Sequence, residues 1–391
     1  MRTLSILGAT GSIGRSTVDV ILANPGEFQV IAVVGGRDAA ALAQVAIKIG
    51  ARFAALADPT GLGALRTALG SSGIACGAGD SALLEAAAMP SDLVVAGISG
   101  IAGLKPTVAA LAPGRKIALA NKETLVCAGA FFMAEARRIG ATILPMDSEH
   151  NAVAQALGGR SMADVARITL TASGGPFRTW DADRIRNARR EEALTHPNYV
   201  MGAKITVDSA GLMNKGLELI EAHHIFGISP DRLDAVIHPQ QIVHGLVSFV
   251  DGSMIAGMAR PSMCVPIADC LSDGRRLASG IPVPDLVSLG SLSFEAPDLD
   301  RFPALGLAMQ AMRAGGHATA ILNGADEIAV EAFLQGLISF GEIHRVIEKT
   351  LELTTRDIFR SPSSVEEALA IDHTARVAAR GVIASGLVGA L

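Results

Sequence analysis

Leu4-Ser5-Ile6-Leu7 runs directly into Gly8-Ala9-Thr10-Gly11-Ser12-Ile13-Gly14. A short apolar run, then glycines three apart, then helical spacing is the strand–turn–helix opening of a dinucleotide-binding βαβ unit. Gly8 and Gly11 permit a tight turn and close approach of backbone to a pyrophosphate, and Gly14 lets helix and strand pack closely. The start of the helix adds N–H donors and partial positive charge. A purely structural turn would use the same glycines, but their place after a buried strand and before a helix favours the cofactor.

Outward from this turn, apolar runs at 30–34, 54–56, 93–98, 117–120 and 143–146 alternate with helical patterns. Strands buried on both faces and separated by helices imply parallel crossovers, so 1–147 reads as a Rossmann-like doubly wound α/β domain. From 148 to 275 the rhythm becomes α+β, with a strand at 167–172 and a hairpin of 241–250 with 254–258 around Asp251-Gly252. Pro282, Pro284, Pro297 and Pro303 punctuate a linker over 276–303, and 304–391 carries helical spacing.

Composition bounds the function. The chain has 391 residues, half of them hydrophobic and 18% charged, which excludes a disordered polymer. A net charge of −5 argues against a surface built to grip nucleic acid or anionic lipid. Aromatics are only 4% beside 42 glycines, a mixture that favours close backbone packing over bulky cores. The four cysteines form no CxxC pair and read as reduced thiols of a cytoplasmic protein. Residues 4–7 are too short for a signal sequence, and no apolar run nears the roughly 20 residues of a membrane helix.

Ligands of open parallel sheets sit beyond the carboxyl ends of the strands. Where an NAD site places an acid after the second strand, this chain has Gly35-Gly36-Arg37-Asp38. An arginine there suits a 2′-phosphate and favours NADP over NAD, while Asp38 keeps the ribose-hydroxyl alternative open. Asn121-Lys122-Glu123 follows the strand at 117–120, and Asp147-Ser148-Glu149-His150 follows 143–146. In extended chain Asp147 and Glu149 share a side and can converge on one hard cation, although the same spacing also makes a helix cap.

A third carboxylate lies in the stretch Val207-Asp208-Ser209-Ala210-Gly211-Leu212-Met213-Asn214-Lys215-Gly216-Leu217-Glu218. On a helix Asn214, Lys215 and Glu218 share a face, which suits either a surface ion pair or a phosphate site. Ser209 and Asn214 add oxygen-seeking donors beside the lysine, and Ser173-Gly174-Gly175 offers a second anion pocket. His150, His196, His223, His224, His238 and His244 crowd into 150–244, but no zinc spacing accompanies them, so all-oxygen Mg²⁺ or Mn²⁺ is favoured. The loop His196-Pro197-Asn198-Tyr199-Val200-Met201-Gly202 reads either as a lid that excludes water or as a surface loop anchored by the only tyrosine.

GATGSIG, LANKE, PMDSEHNA, SGGPF, HPNY-MG, VDSAGLMNKGLE and IHPQ occur together here in the order and spacing of the 1-deoxy-D-xylulose 5-phosphate reductoisomerase family, which the chain resembles over nearly its whole length. That resemblance implies an N-terminal NADPH domain, a central catalytic domain that forms the homodimer, a linker and a C-terminal helical bundle. It implies that Thr10, Gly11, Ser12, Ile13, Gly36, Arg37, Asp38, Asn121, Glu123 and Gly202 line NADPH, and that Asp147, Glu149 and Glu218 hold the metal. Lys122, Ser148, Glu149, Ser173, His196, Ser209, Asn214, Lys215 and Glu218 would contact a phosphorylated sugar. Lys122, His196 and the metal ligands would then form the catalytic set. The implied reaction rearranges 1-deoxy-D-xylulose 5-phosphate and reduces it to 2-C-methyl-D-erythritol 4-phosphate. Tyr199 departs from the family's usual tryptophan.

Two other classes compete. An NADP-dependent semialdehyde dehydrogenase shares a GATG-like start but needs a nucleophilic cysteine, whereas Cys127 sits inside an apolar helical pattern and Cys264 and Cys270 lack a supporting base. A non-catalytic dinucleotide-sensing protein would not need Lys122, Asp147, Glu149 and Glu218 together.

Overall fold

The structure, a computed structural model, describes residues 1–195, 202–272, 274–354 and 360–386. The chain divides into two compact units. The first comprises Met1–Thr124, Phe132–Asn151 and Ser262–Val283. It holds seven strands: β1 Arg2–Leu7, β2 Phe28–Gly35, β3 Phe53–Leu56, β4 Ala75–Ala78, β5 Leu93–Ala96, β6 Lys116–Leu119 and β7 Thr142–Pro145. They pair in the order β4-β3-β2-β1-β5-β6-β7, all parallel. The order reverses at β1, so the crevice beyond its carboxyl end is the switch point of a doubly wound sheet.

The apolar runs form these strands because both faces are covered: Leu4, Ile6, Val33, Val95 and Ala118 are fully buried. The helix Cys264–Leu271 also belongs to this unit and contributes Ile267 and Leu271 to its core. β4 carries no apolar run in the sequence. It is the edge strand Ala-Cys-Gly-Ala, half-exposed, recruited by pairing with β3.

The second unit comprises Leu125–Phe131, Ala152–Pro261 and Pro284–Leu391. Its four-stranded sheet has the order β11-β10-β8-β9, from β8 Val165–Ala172, β9 Leu233–Ile237, β10 Val243–Phe249 and β11 Met254–Met258. The expected hairpin joins β10 to β11, with Gly252 at φ +86°. The helices Pro303–Ala314, Ala318–Leu334, Ile343–Thr354 and Val365–Ala384 account for the helical spacing after 304. Small residues set their spacing, as the composition suggested. A methyl added at Gly216 would lie 2.4 Å from Ala308 Cβ, so two helices meet there almost backbone to backbone.

Candidate active site

In the first unit, β1 runs into Gly8, whose φ of +90° and closeness to Gly97 exclude any side chain: a Cβ would stand 2.5 Å from the Gly97 carbonyl oxygen. A Cβ at Gly14 would meet the Ala9 carbonyl at 2.4 Å, so that glycine does let helix and strand close up. The N–H groups of Gly8 and Ala9 donate to the Val34 carbonyl at 3.0 and 2.7 Å and tie the turn to β2. The helix Ser12–Ala23 starts at Gly11 with no side-chain cap, which leaves its first turn suited to an anion. Thr10 is pinned through its carbonyl by Arg15 Nη1 at 2.7 Å, and Ile13 packs against Gly97.

Beyond β2, Gly36, Arg37 and Asp38 are exposed, and a Cβ at Gly36 would meet nothing within 4 Å. Asp38 caps the helix Ala39–Lys48, its Oδ1 accepting from Ala41 N–H at 2.9 Å. That leaves Arg37 as the charged side chain of the loop with no helix to cap.

Asn121 caps the helix Lys122–Ile139 through Oδ1, which accepts from Thr124 N–H at 2.9 Å. Its Nδ2 donates to the carbonyls of Ile98 (2.7 Å) and Gly100 (3.0 Å) and to Glu123 Oε2 (2.7 Å). It thereby fixes the loop after β5 and orients Glu123. The Lys122 ammonium donates to Asp147 Oδ2, and both side chains are mostly buried. Asp147 Oδ1 also accepts from Ser148 N–H at 2.9 Å, and the Ser148 hydroxyl donates to Glu149. Ser148 and Glu149 are buried in the first turn of the helix Ser148–Leu157. The strand-end residues Lys122, Asp147, Ser148 and Glu149 thus form one hydrogen-bonded set.

In the second unit, β8 leads into Ser173, 6% exposed, whose hydroxyl accepts from Gly175 N–H at 3.1 Å. Gly174 and Gly175 hold φ of +84° and +66°. The helix Ala203–Ala210 begins at Gly202 and carries the half-buried Ser209. Leu212 then turns the chain in the left-handed region at φ +61°, an uncommon conformation for a leucine, and the helix Met213–Phe226 begins. On that helix Asn214 Nδ2 donates to Glu218 Oε1 at 2.5 Å, and Lys215 donates to the other carboxylate oxygen. Lys215 and Glu218 are 4% and 1% exposed, so the surface ion-pair alternative is excluded. Asn214 Oδ1 is buried and has no hydrogen-bond partner among the described residues.

His196, Pro197, Asn198, Tyr199, Val200 and Met201, a lid or a surface loop by sequence, lie outside the described residues. Cys127 and Cys270 are buried, and burial pushes the Cys270 thiol up, which removes it as a nucleophile for semialdehyde chemistry.

A glycine turn at the switch point of an open parallel sheet, with carboxylates and an amine at its strand ends, puts the chain among the dinucleotide-binding α/β oxidoreductases. Residues 4–129 match the family described as 1-deoxy-D-xylulose 5-phosphate reductoisomerase, 143–226 its C-terminal domain, and 258–378 the DXP reductoisomerase C-terminal domain. The 1-deoxy-D-xylulose 5-phosphate reductoisomerase of Bradyrhizobium sp. (strain ORS 278) is 52% identical over 384 residues, covering 98% of this chain and 94% of the relative. That of Rhodopseudomonas palustris (strain BisB18) is 52% identical over 377 residues, 96% of this chain and 93% of the relative. The Zymomonas mobilis enzyme solved in complex with NADPH superposes with a TM-score of 0.92 at 44% identity, covering 98% and 99% of the two chains. A DOX-P reductoisomerase in complex with NADPH, fosmidomycin and magnesium gives 0.92 at 40% identity, covering 98% of each chain. The chain belongs to the 1-deoxy-D-xylulose 5-phosphate reductoisomerase family.

Proposed function

We propose that this protein converts 1-deoxy-D-xylulose 5-phosphate to 2-C-methyl-D-erythritol 4-phosphate, using NADPH and Mg²⁺ or Mn²⁺. The observation that carries the reading is the buried strand-end set Lys122, Asp147, Ser148 and Glu149 on a dinucleotide-binding sheet. With two carboxylates against one ammonium, the set is net negative and offers carboxylate oxygens that suit a hard divalent cation. Asp147, Glu149 and Glu218 are the ligands in this reading. The glycine turn, the uncapped helix start and the open space at Gly36 suit a dinucleotide, and Arg37 suits its 2′-phosphate.

When bound, the cation draws electron density from substrate oxygens and NADPH supplies a hydride. The protein's side chains do the rest. Ser173, Ser209, Asn214 and Lys215 hold the substrate phosphate, Asn214 with its Nδ2–H already directed along the same helix face as Lys215. Fixing the phosphate keeps fragments of the rearranging carbon skeleton in register. The Lys122 ammonium stabilises oxyanion charge as it develops at the substrate. In this reading His196 helps to position substrate.

The protein acts as a homodimer in this reading. Val250, Met254 and Met258 are 69%, 59% and 43% exposed on and beside the edge strand β11, an apolar edge that isolated chains avoid leaving open. It works in the cytoplasm, consistent with four free thiols and with no described helix long and apolar enough to cross a membrane. The test is Glu149→Gln and Glu218→Gln. Each is expected to abolish turnover while NADPH still binds; full activity in both variants would remove the metal assignment.

A further inference from the structure

Asn151 lies two residues beyond Glu149 and is 3% exposed. Its Nδ2 donates to the Pro145 carbonyl at 3.2 Å and to Asp269 Oδ2 at 2.9 Å, and lies 3.7 Å from Cys270 Sγ. The Cys270 thiol donates to the same Pro145 carbonyl at 3.2 Å. The link from Asn151 to Pro145 therefore spans Asp147, Ser148 and Glu149 and fixes both ends of their turn. The Asn151 backbone N–H adds a bond to the Asp147 carbonyl at 2.9 Å. Asp269 and Cys270 come from the helix Cys264–Leu271, and Arg276 Nη1 lies 3.4 Å from Asp269 Oδ1 on the side away from Asn151's bond.

The arrangement has a purpose that packing alone does not require. Two neighbouring carboxylates repel each other and would splay a free turn, so a site that presents both to one cation has to be held from behind. Asn151 carries no charge of its own and bonds the turn at its first carbonyl, while Asp269 orients the asparagine amide.

We infer that Asn151, Asp269 and Cys270 are positioning residues that hold the Asp147-Ser148-Glu149 turn in its metal-binding form. The inference rests on the reading of Asp147 and Glu149 as metal ligands. Asp269 is the best probe because its side chain is 27% exposed and its loss removes little packing.

The experiment measures Mn²⁺ binding to the purified full chain by the EPR signal of free Mn²⁺, NADPH binding by fluorescence, and melting in EDTA. Asp269→Ala is expected to weaken Mn²⁺ binding about tenfold, the scale of outer-shell partners of metal ligands, with NADPH affinity unchanged. Asp269→Asn keeps an oxygen for the Asn151 amide and is expected to restore wild-type Mn²⁺ affinity. Asn151→Leu is expected to weaken Mn²⁺ binding in the same direction as Asp269→Ala. Wild-type Mn²⁺ affinity in both Asp269→Ala and Asn151→Leu overturns the inference, as does a parallel loss of Mn²⁺ and NADPH binding. Glu149→Gln separates the two levels: if it binds Mn²⁺ as the wild type does, the ligand reading itself fails.

Discussion

Gly175 and Ser209 meet backbone to backbone: a methyl on Gly175 would lie 2.7 Å from the Ser209 carbonyl oxygen, at a backbone φ of +66°. The loop that carries Ser173 is thereby set against the last turn of the helix that carries Ser209.

Gly175→Ala forces that contact apart and adds left-handed strain, a disturbance of about 1–3 kcal/mol. It is expected to raise KM for the phosphorylated substrate by about tenfold and to leave KM for NADPH unchanged. Steady-state kinetics with each substrate varied in turn checks this, and an unaltered sugar-phosphate KM contradicts it.

Arg37 stands exposed beyond β2, while Asp38 beside it is occupied as a helix cap. A charge-assisted bond to a 2′-phosphate contributes about 1.5–3 kcal/mol. Arg37→Ala should therefore lower kcat/KM with NADPH by about 10- to 100-fold, and leave the slow rate with NADH unchanged. An unaltered NADPH-to-NADH ratio would remove Arg37 from cofactor selection.

His224 packs on Gly129, where a Cβ would stand 2.2 Å from the imidazole, next to the non-helical Ala128 in the helix Lys122–Ile139. Burial, with His223 acting in the same direction, pulls its pKa from 6.5 down to about 4. The folded state then binds fewer protons than the unfolded state between those values. Stability is full above pH of about 6.5 and declines as the pH falls toward 4, by up to about 3 kcal/mol from this residue. His344, pulled to about 4 mainly by burial, adds to the same decline. His224→Met should flatten the dependence of Tm on pH between 7 and 4.5; an unchanged slope in thermal melts contradicts the assignment.

Arg115 is 6% exposed and donates to the carbonyls of Ala87, Met89, Ser91 and Ala110 at 2.9–3.2 Å. It gathers the ends of the helix Asp80–Ala88 and of the segment before β6. Arg115→Met leaves those carbonyls unpaired and is expected to destabilise the fold by about 3 kcal/mol, visible as a lowered Tm. Arg115→Lys should recover only part, because an ammonium lacks the planar fork.

The sheet was legible wherever a strand is buried on both faces. β1, β2, β3, β5 and β6 each announce themselves as an apolar run, and so does β7, although it is a partly buried edge strand. β4 does not, because an edge strand of Ala-Cys-Gly-Ala draws its order from pairing with β3. β9 escaped too, its Leu-Asp-Ala-Val-Ile being short and only alternately buried. At the candidate site, Lys122, Asp147 and Glu149 were readable because strand ends of parallel sheets are where ligands collect. The cap roles of Asp38 and Asn121 were hidden, since a side chain that suits a cofactor edge is the same one that caps a helix. The Asn151–Asp269 bond joins positions 118 apart, and no local pattern encodes such a partner.

In the proposed reading the protein carries out metal-dependent reduction of a rearranged sugar phosphate. Its most direct measurement is NADPH consumption with 1-deoxy-D-xylulose 5-phosphate, with Mg²⁺ or with EDTA, and product identification by phosphorus NMR. One 2-C-methyl-D-erythritol 4-phosphate per NADPH with Mg²⁺, and neither change in EDTA, is the expected result; full-rate oxidation in EDTA, or NADPH loss without that product, would contradict it.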